Sequence, residues 1–109
     1  LGGFIAATTA ARDQRVAALA VLYGGMPDQI APGVKHLPPM IELHGDADRN
    51  VPLARGEALV ELAKAVGAPA ELVTYPGKPH GFDFVDNDAA TSDAVARVVR
   101  FFHDRLLTA

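Results

Sequence analysis

The chain has 109 residues and a formal net charge of -3, with 50% of its residues hydrophobic and 21% charged, a balance that fits one small globular domain rather than two. A small negative charge gives no reason to expect nucleic acid or an anionic membrane surface as a partner, and no apolar run approaches the roughly 18 to 20 residues of a membrane span. Cysteine is absent, which excludes disulfides and thiolate metal sites within the chain without identifying its compartment.

Residues 2 to 11 read as a small-residue helix, rich in Ala and closed by Arg12-Asp13-Gln14-Arg15. No Ser, Thr, Asp or Asn precedes it to cap its first backbone donors, so a segment upstream of Leu1 is expected. Val16 to Leu22 is a continuous apolar run of strand length, as a strand buried on both faces requires, and it is broken by Tyr23-Gly24-Gly25. Residues 24 to 38 read as a connection. Met40 to Leu43 is a second short apolar run, introduced by Pro38-Pro39 and ended by His44-Gly45-Asp46.

From Leu53 to Val66, the positions of Ala58, Leu59, Leu62, Ala63 and Val66 make one helical face, and Gly67 is a natural stop. Glu71 to Tyr75 is a third strand ended by Pro76-Gly77. The final helix spans about Ala90 to Leu107, with Ala94, Val95, Val98, Val99, Phe102 and Leu106 as its expected buried stripe and Arg97, Arg100 and Asp104 opposite. Strands alternating with helices predict an α/β fold, part of a doubly wound, mostly parallel sheet flanked by helices. One edge of so small a sheet needs a partner.

Ligand sites in open parallel sheets gather at the carboxyl ends of the strands. There the three loops carry Tyr23 with its glycine pair, then His44, Asp46 and Asp48, then His80. An acid and an imidazole distant in sequence are thereby brought to one rim. His44 is expected to hydrogen-bond backbone at its strand end, His36 and His103 to lie on the surface, and Phe82, Phe84 and Val85 to form core or pocket wall. A divalent metal on His44, Asp46, Asp48 and His80 has no recurrent ligand spacing in its favour, so no metal is expected.

The segment His44-Gly45-Asp46-Ala47-Asp48-Arg49-Asn50-Val51-Pro52 resembles the H-G-x-x-D-x-x-V-P stretch around the triad Asp of many α/β-hydrolases. Tyr75-Pro76-Gly77-Lys78-Pro79-His80-Gly81-Phe82 is similar to the segment that holds their triad His, and Leu1-Gly2-Gly3 resembles the residues after the nucleophile in G-x-S-x-G-G or G-x-C-x-G-G. In this order the three motifs most resemble the dienelactone hydrolase family, from one end of the chain to the other. The order nucleophile, acid, histidine is that of the α/β-hydrolase triad.

The resemblance implies that residues 1–109 form the C-terminal half of one α/β-hydrolase domain, with the N-terminal half of the same fold as partner. Asp48 and His80 would be the catalytic acid and base, and the nucleophile, Ser or Cys, would stand immediately before Leu1. The backbone N–H of Leu1 would serve the oxyanion hole. Gly2 and Gly3 would permit close approach of helix and strand at the strained elbow. The expected reaction is hydrolysis of a small ester or lactone through an acyl-enzyme, with no cofactor, and the expected location is cytoplasmic. Two other readings stay open: an inactive hydrolase-fold binding module, and a peptidase or larger-acyl esterase of the same fold. For Asp48 itself the competing roles are a cap on the following helix, or replacement by Asp46 as the triad acid.

Overall fold

The computed structural model describes residues 1–82 and 89–107; Phe84 and Val85 lie outside the described residues. Among the described residues the order is α1 (Gly2–Arg12), β1 (Leu19–Leu22), a 3-10 turn (Ala31–Gly33), β2 (Met40–Gly45), α2 (Leu53–Ala65), β3 (Ala70–Tyr75) and α3 (Ala89–Leu106). The three strands form one parallel sheet in the order β1-β2-β3, with Leu19 opposite Met40 and Met40 opposite Ala70. Parallel pairing forces each connection to cross a face of the sheet: α2 makes the crossing from β2 to β3, and residues 23–39 with their 3-10 turn make the one from β1 to β2.

Side-chain alternation sorts the core into two layers. Leu19 and Val21 of β1 and Met40 of β2 pack against Ala7 and Ala10 of α1 and Leu59, Val60 and Ala63 of α2. Ile41 and Leu43 turn the other way, to Tyr75, Phe82 and Ala94 of α3, with Val98 and Phe101 beside them. β2, between its two neighbours, is buried at all six positions. Phe82, fully buried, lies 5.1 Å from the Tyr75 ring, so the core role expected for it holds.

The sequence-based boundaries shift for local reasons. The expected strand from Val16 begins only at Leu19, because Val16 N–H closes a turn on the Asp13 carbonyl and Leu19 N–H is the first to reach across, to the Pro39 carbonyl. α2 buries Gly56 and Val60 but leaves Ala58 exposed, and it ends where Gly67, at φ 84°, lets the N–H of Ala68 return to the Ala63 carbonyl. The stripe expected on the last helix is rotated. Ala94, Val98 and Phe101, spaced at i, i+4 and i+7, face the sheet, whereas Val95, Val99 and Leu106 are 55%, 63% and 48% exposed. Val95 and Val99 instead line an apolar groove with Leu22 at the β1 side of the sheet.

Three glycines, Gly3, Gly24 and Gly45, make backbone contacts that nothing larger would allow. A Cβ on Gly24 would come within 2.7 Å of Gly3 Cα, so α1 rests directly on the turn that follows β1. Gly3 makes the close approach expected at the start of α1, and a Cβ on Gly2 would meet no atom within 4 Å among the described residues. A Cβ on Gly45 would collide with the Lys78 carbonyl, which accepts a hydrogen bond from Ala47 N–H. Gly45→Ala must therefore push away the turn that precedes His80 and should lower the unfolding free energy by about 1 to 3 kcal/mol. Gly33→Ala, at a position with no atom within 4 Å of the added methyl, should change it by less than about 0.5 kcal/mol. Urea midpoints of the two variants in the complete protein check the contrast.

Candidate active site

The carboxyl ends of β2 and β3 carry the two loops from which the site is built. After β2 the chain turns sharply, and Asp48 folds back under it, with its side chain fully buried. Its Oδ1 accepts hydrogen bonds from Asn50 N–H at 2.9 Å and Val51 N–H at 2.7 Å. The same geometry leaves Oδ2 facing outward to the next loop, where His80 Nδ1 lies 2.9 Å away. A buried carboxylate needs partners of this kind to offset lost hydration, and here backbone donors and an imidazole supply them.

His80 is held from the other side by Tyr23, whose ring centroid lies 4.6 Å from that of the imidazole. Tyr23 takes φ 45°, a left-handed conformation that is uncommon for a residue with a Cβ and that collects at functional sites. Its N–H still donates to the Leu43 carbonyl at 2.8 Å, extending the sheet by one bond. Because Nδ1 is turned to Asp48, Nε2 is the nitrogen that could take a proton from a nucleophile. His80 also lines a cavity of about 400 Å³ with Tyr23, Leu22, Ala20 and the start of α1 at Leu1, Gly2 and Gly3. Leu1 is the N-cap of α1 and makes no side-chain cap bond, so the first N–H groups of this helix have no partner within the helix.

The neighbouring acid does something else. Asp46 is exposed, and its Oδ1 accepts from Gly77 N–H, 2.6 Å away, which ties the β2 loop to the turn leading to His80. Asp48 does not cap α2 either, since the N-cap position there is Pro52 and carries no side-chain bond. His103 is exposed and His36 half-buried. Among the described residues no group of three His, Cys, Asp or Glu side chains is arranged to hold a metal ion.

His44 points down into the α2 face, fully buried with Glu42. Its Nε2–H donates to the Val51 carbonyl at 2.7 Å, and its Nδ1 lies 2.8 Å from Glu42 Oε1. Glu42 Oε1 also accepts from Gly24 N–H at 3.2 Å, while Oε2 has no partner among the described residues. Burial pushes the Glu42 carboxyl up from an ordinary 4.5 to about 7, against the pull of His44 and Gly24. For His44, burial alone would lower the pKa, but its bonds to Glu42 and Val51 and the nearby Glu42 and Asp48 charges outweigh it and hold the pKa up. Glu42 does not stand out in the sequence because it lies within the otherwise apolar run Met40 to Leu43; the available signal is an ionisable residue inside a strand with no exposed face.

A sequence model of the dienelactone hydrolase family matches residues 1–106. The chain belongs to that family. Among solved structures, this dienelactone hydrolase family member resembles a Klebsiella pneumoniae protein assigned as a dienelactone hydrolase, with a TM-score of 0.73 and 23% identity over 92% of this chain and 47% of that one. That likeness establishes the α/β-hydrolase fold. An esterase of Thermogutta terrifontis, solved after phosphorylation by paraoxon, is 34% identical over 63% of this chain and 27% of its own, with a TM-score of 0.57. A stretch of 44 residues is 46% identical to an isoprenylcysteine alpha-carbonyl methylesterase of Arabidopsis thaliana, covering 40% of this chain and 10% of that protein. The family member described here thus spans less than half the length of each of these relatives.

The raised Glu42 pKa carries a sign that can be measured. A carboxyl that binds its proton more readily folded than unfolded favours the fold below its unfolded value near 4.5, and that contribution is lost as pH rises to about 7. The raised His44 acts in the same direction. Glu42→Gln removes the carboxyl, so the stability of the variant relative to the parent should climb with pH across that window, by about 3 kcal/mol at most, at roughly 1.4 kcal/mol per pH unit. Chemical denaturation at a series of pH values from 4.5 to 7.5 reads the difference, and a constant offset would contradict the assignment.

Proposed function

We propose that the complete protein is an ester hydrolase of small carboxylic esters or lactones, working through an acyl-enzyme. The observation that carries this reading is the bond between Asp48 Oδ2 and His80 Nδ1, made beside the cavity that opens at the start of α1. In the mechanism a Ser or Cys immediately before Leu1 attacks the carbonyl and gives its proton to His80 Nε2. Asp48 holds the imidazole in the required tautomer and stabilises the imidazolium. The tetrahedral oxyanion is received by the backbone N–H of Leu1 and by a second donor from the preceding half of the fold. Collapse expels the alcohol, protonated by His80, and water enters by the same base to release the acid. No cofactor takes part.

Membership of the dienelactone hydrolase family and likeness to a methylesterase and to an esterase that paraoxon phosphorylates support ester chemistry. Phosphorylation by such a reagent needs a nucleophilic side chain in that esterase, as the reading requires here. The apolar groove of Leu22, Val95 and Val99 and the apolar flank of β1 at Ala20 support a second part: residues 1–109 form the C-terminal half of the domain, and these surfaces receive its N-terminal half. An unpaired strand edge beside apolar surface invites aggregation unless it is covered. The substrate is small and uncharged or anionic, and neither nucleic acid nor a membrane is a partner.

Asp48→Asn in the complete protein should leave the fold intact and lower turnover of short p-nitrophenyl esters and enol-lactones by about four orders of magnitude. Steady-state kinetics on both substrate classes decide it. Unchanged turnover would refute the role of Asp48, and activity confined to peptides or long-chain lipids would refute the substrate class.

A further inference from the structure

Beneath the Asp48–His80 pair lies a second ionisable pair that no step of the proposed chemistry uses. Glu42 and His44 alternate along β2 on its α2 face, both fully buried. Burying two such groups is costly unless they are paired and bonded, and a strand position that only needed filling would take an aliphatic side chain. α2 is shaped to accept them: a Cβ at Gly56 would lie 2.7 Å from His44 Nδ1 and 2.9 Å from Glu42 Oε1. Glycine stands here inside a helix, against its propensity, and the pair is the reason.

The bonds of the pair lead to both parts of the site. On one side Glu42 Oε1 accepts from Gly24 N–H, and Gly24 is the residue on which Gly3 of α1 rests. On the other, His44 Nε2–H grips the Val51 carbonyl, and the N–H of the same residue donates to Asp48 Oδ1. His44 Nε2 also lies 3.4 Å from Asp48 Oδ2, the oxygen that meets His80. A carbonyl can only accept, so Nε2 carries a proton. One further proton lies between Nδ1 and Oε1, and on either atom it leaves the pair neutral.

We propose that Glu42 and His44 are positioning residues for the reaction, a buried proton-sharing pair that fixes the Asp48 carboxylate against His80 and ties the acid turn to the start of α1. The proposal rests on the triad reading above. Neither residue touches substrate. Their effect comes through the register of Asp48 with His80, and a displacement of about 1 Å there would cost on the order of a hundredfold in rate.

The test is kinetic, in the complete protein, with active sites counted by paraoxon titration so that misfolded molecules do not enter the rate. Glu42→Leu should lower kcat per titrated site for p-nitrophenyl acetate roughly ten- to a hundredfold with KM within about twofold. Glu42→Gln, whose amide oxygen can take the place of Oε1 and accept from Gly24 N–H and from a doubly protonated His44, should give a kcat between that of Glu42→Leu and that of the parent. If Glu42→Leu yields no titratable sites, His44→Asn and His44→Gln decide instead. The shorter amide loses the Val51 carbonyl and should lose kcat, and the longer one reaches it and should keep most of it. Parental kcat per site in Glu42→Leu or His44→Asn would overturn the proposal while leaving the triad reading untouched. Parental kcat in Asp48→Asn would overturn both.

Discussion

The site depends on how one carboxylate is buried. Asp48 has no exposed side-chain surface, and a carboxylate buried without hydrogen-bond partners is costly. Two loop N–H groups on Oδ1 and the imidazole on Oδ2 make the burial tolerable. The acid is therefore fixed by the chain around it rather than by solvent, and His80 is oriented by the same interaction that satisfies it. Asp46, two residues earlier, is exposed and bonds the turn before His80. The two acids divide the work: one meets the imidazole and the other holds the loop that carries it.

Close backbone approach is the second constraint. Gly3 on Gly24, Gly45 on the Lys78 carbonyl and Gly56 over Glu42 and His44 bring α1, the His80 turn and α2 against the sheet at distances a methyl group would forbid. Tyr23 stands at the same rim with φ 45°. Its conformation is sustained by the sheet bond to Leu43 and by packing on His80 and Phe82. Strain and tight packing thus gather at the carboxyl ends of the strands, where the proposed chemistry takes place.

Much of this was legible in the amino-acid sequence, for stated reasons. Short apolar runs alternating with helical spacing implied a parallel α/β layer, and the family has that fold. The motifs around Asp48 and His80 identified two residues that lie 32 positions apart and meet in the structure. What periodicity could not supply was rotation and depth. Val95 and Val99 belong to an apolar stripe, yet Ala94, Val98 and Phe101 are the ones that face the sheet, because adjacent stripes on a helix differ by only about 100° per residue. Val16 was apolar but had no partner strand opposite it. Glu42 is hard to single out because Met40, Ile41 and Leu43 around it in β2 are apolar, and the three-dimensional contact with His44 and Gly24 is what gives it a role.

The central claim is that His80, oriented by Asp48, activates a nucleophile immediately before Leu1. Peptide mapping by mass spectrometry after treating the complete protein with paraoxon tests it most directly. The account predicts a single phosphoryl adduct on the Ser or Cys that precedes Leu1, formed at least about a hundredfold more slowly when His80 is replaced by Ala. An adduct on any other residue, or labelling at the parental rate in His80→Ala, would contradict it.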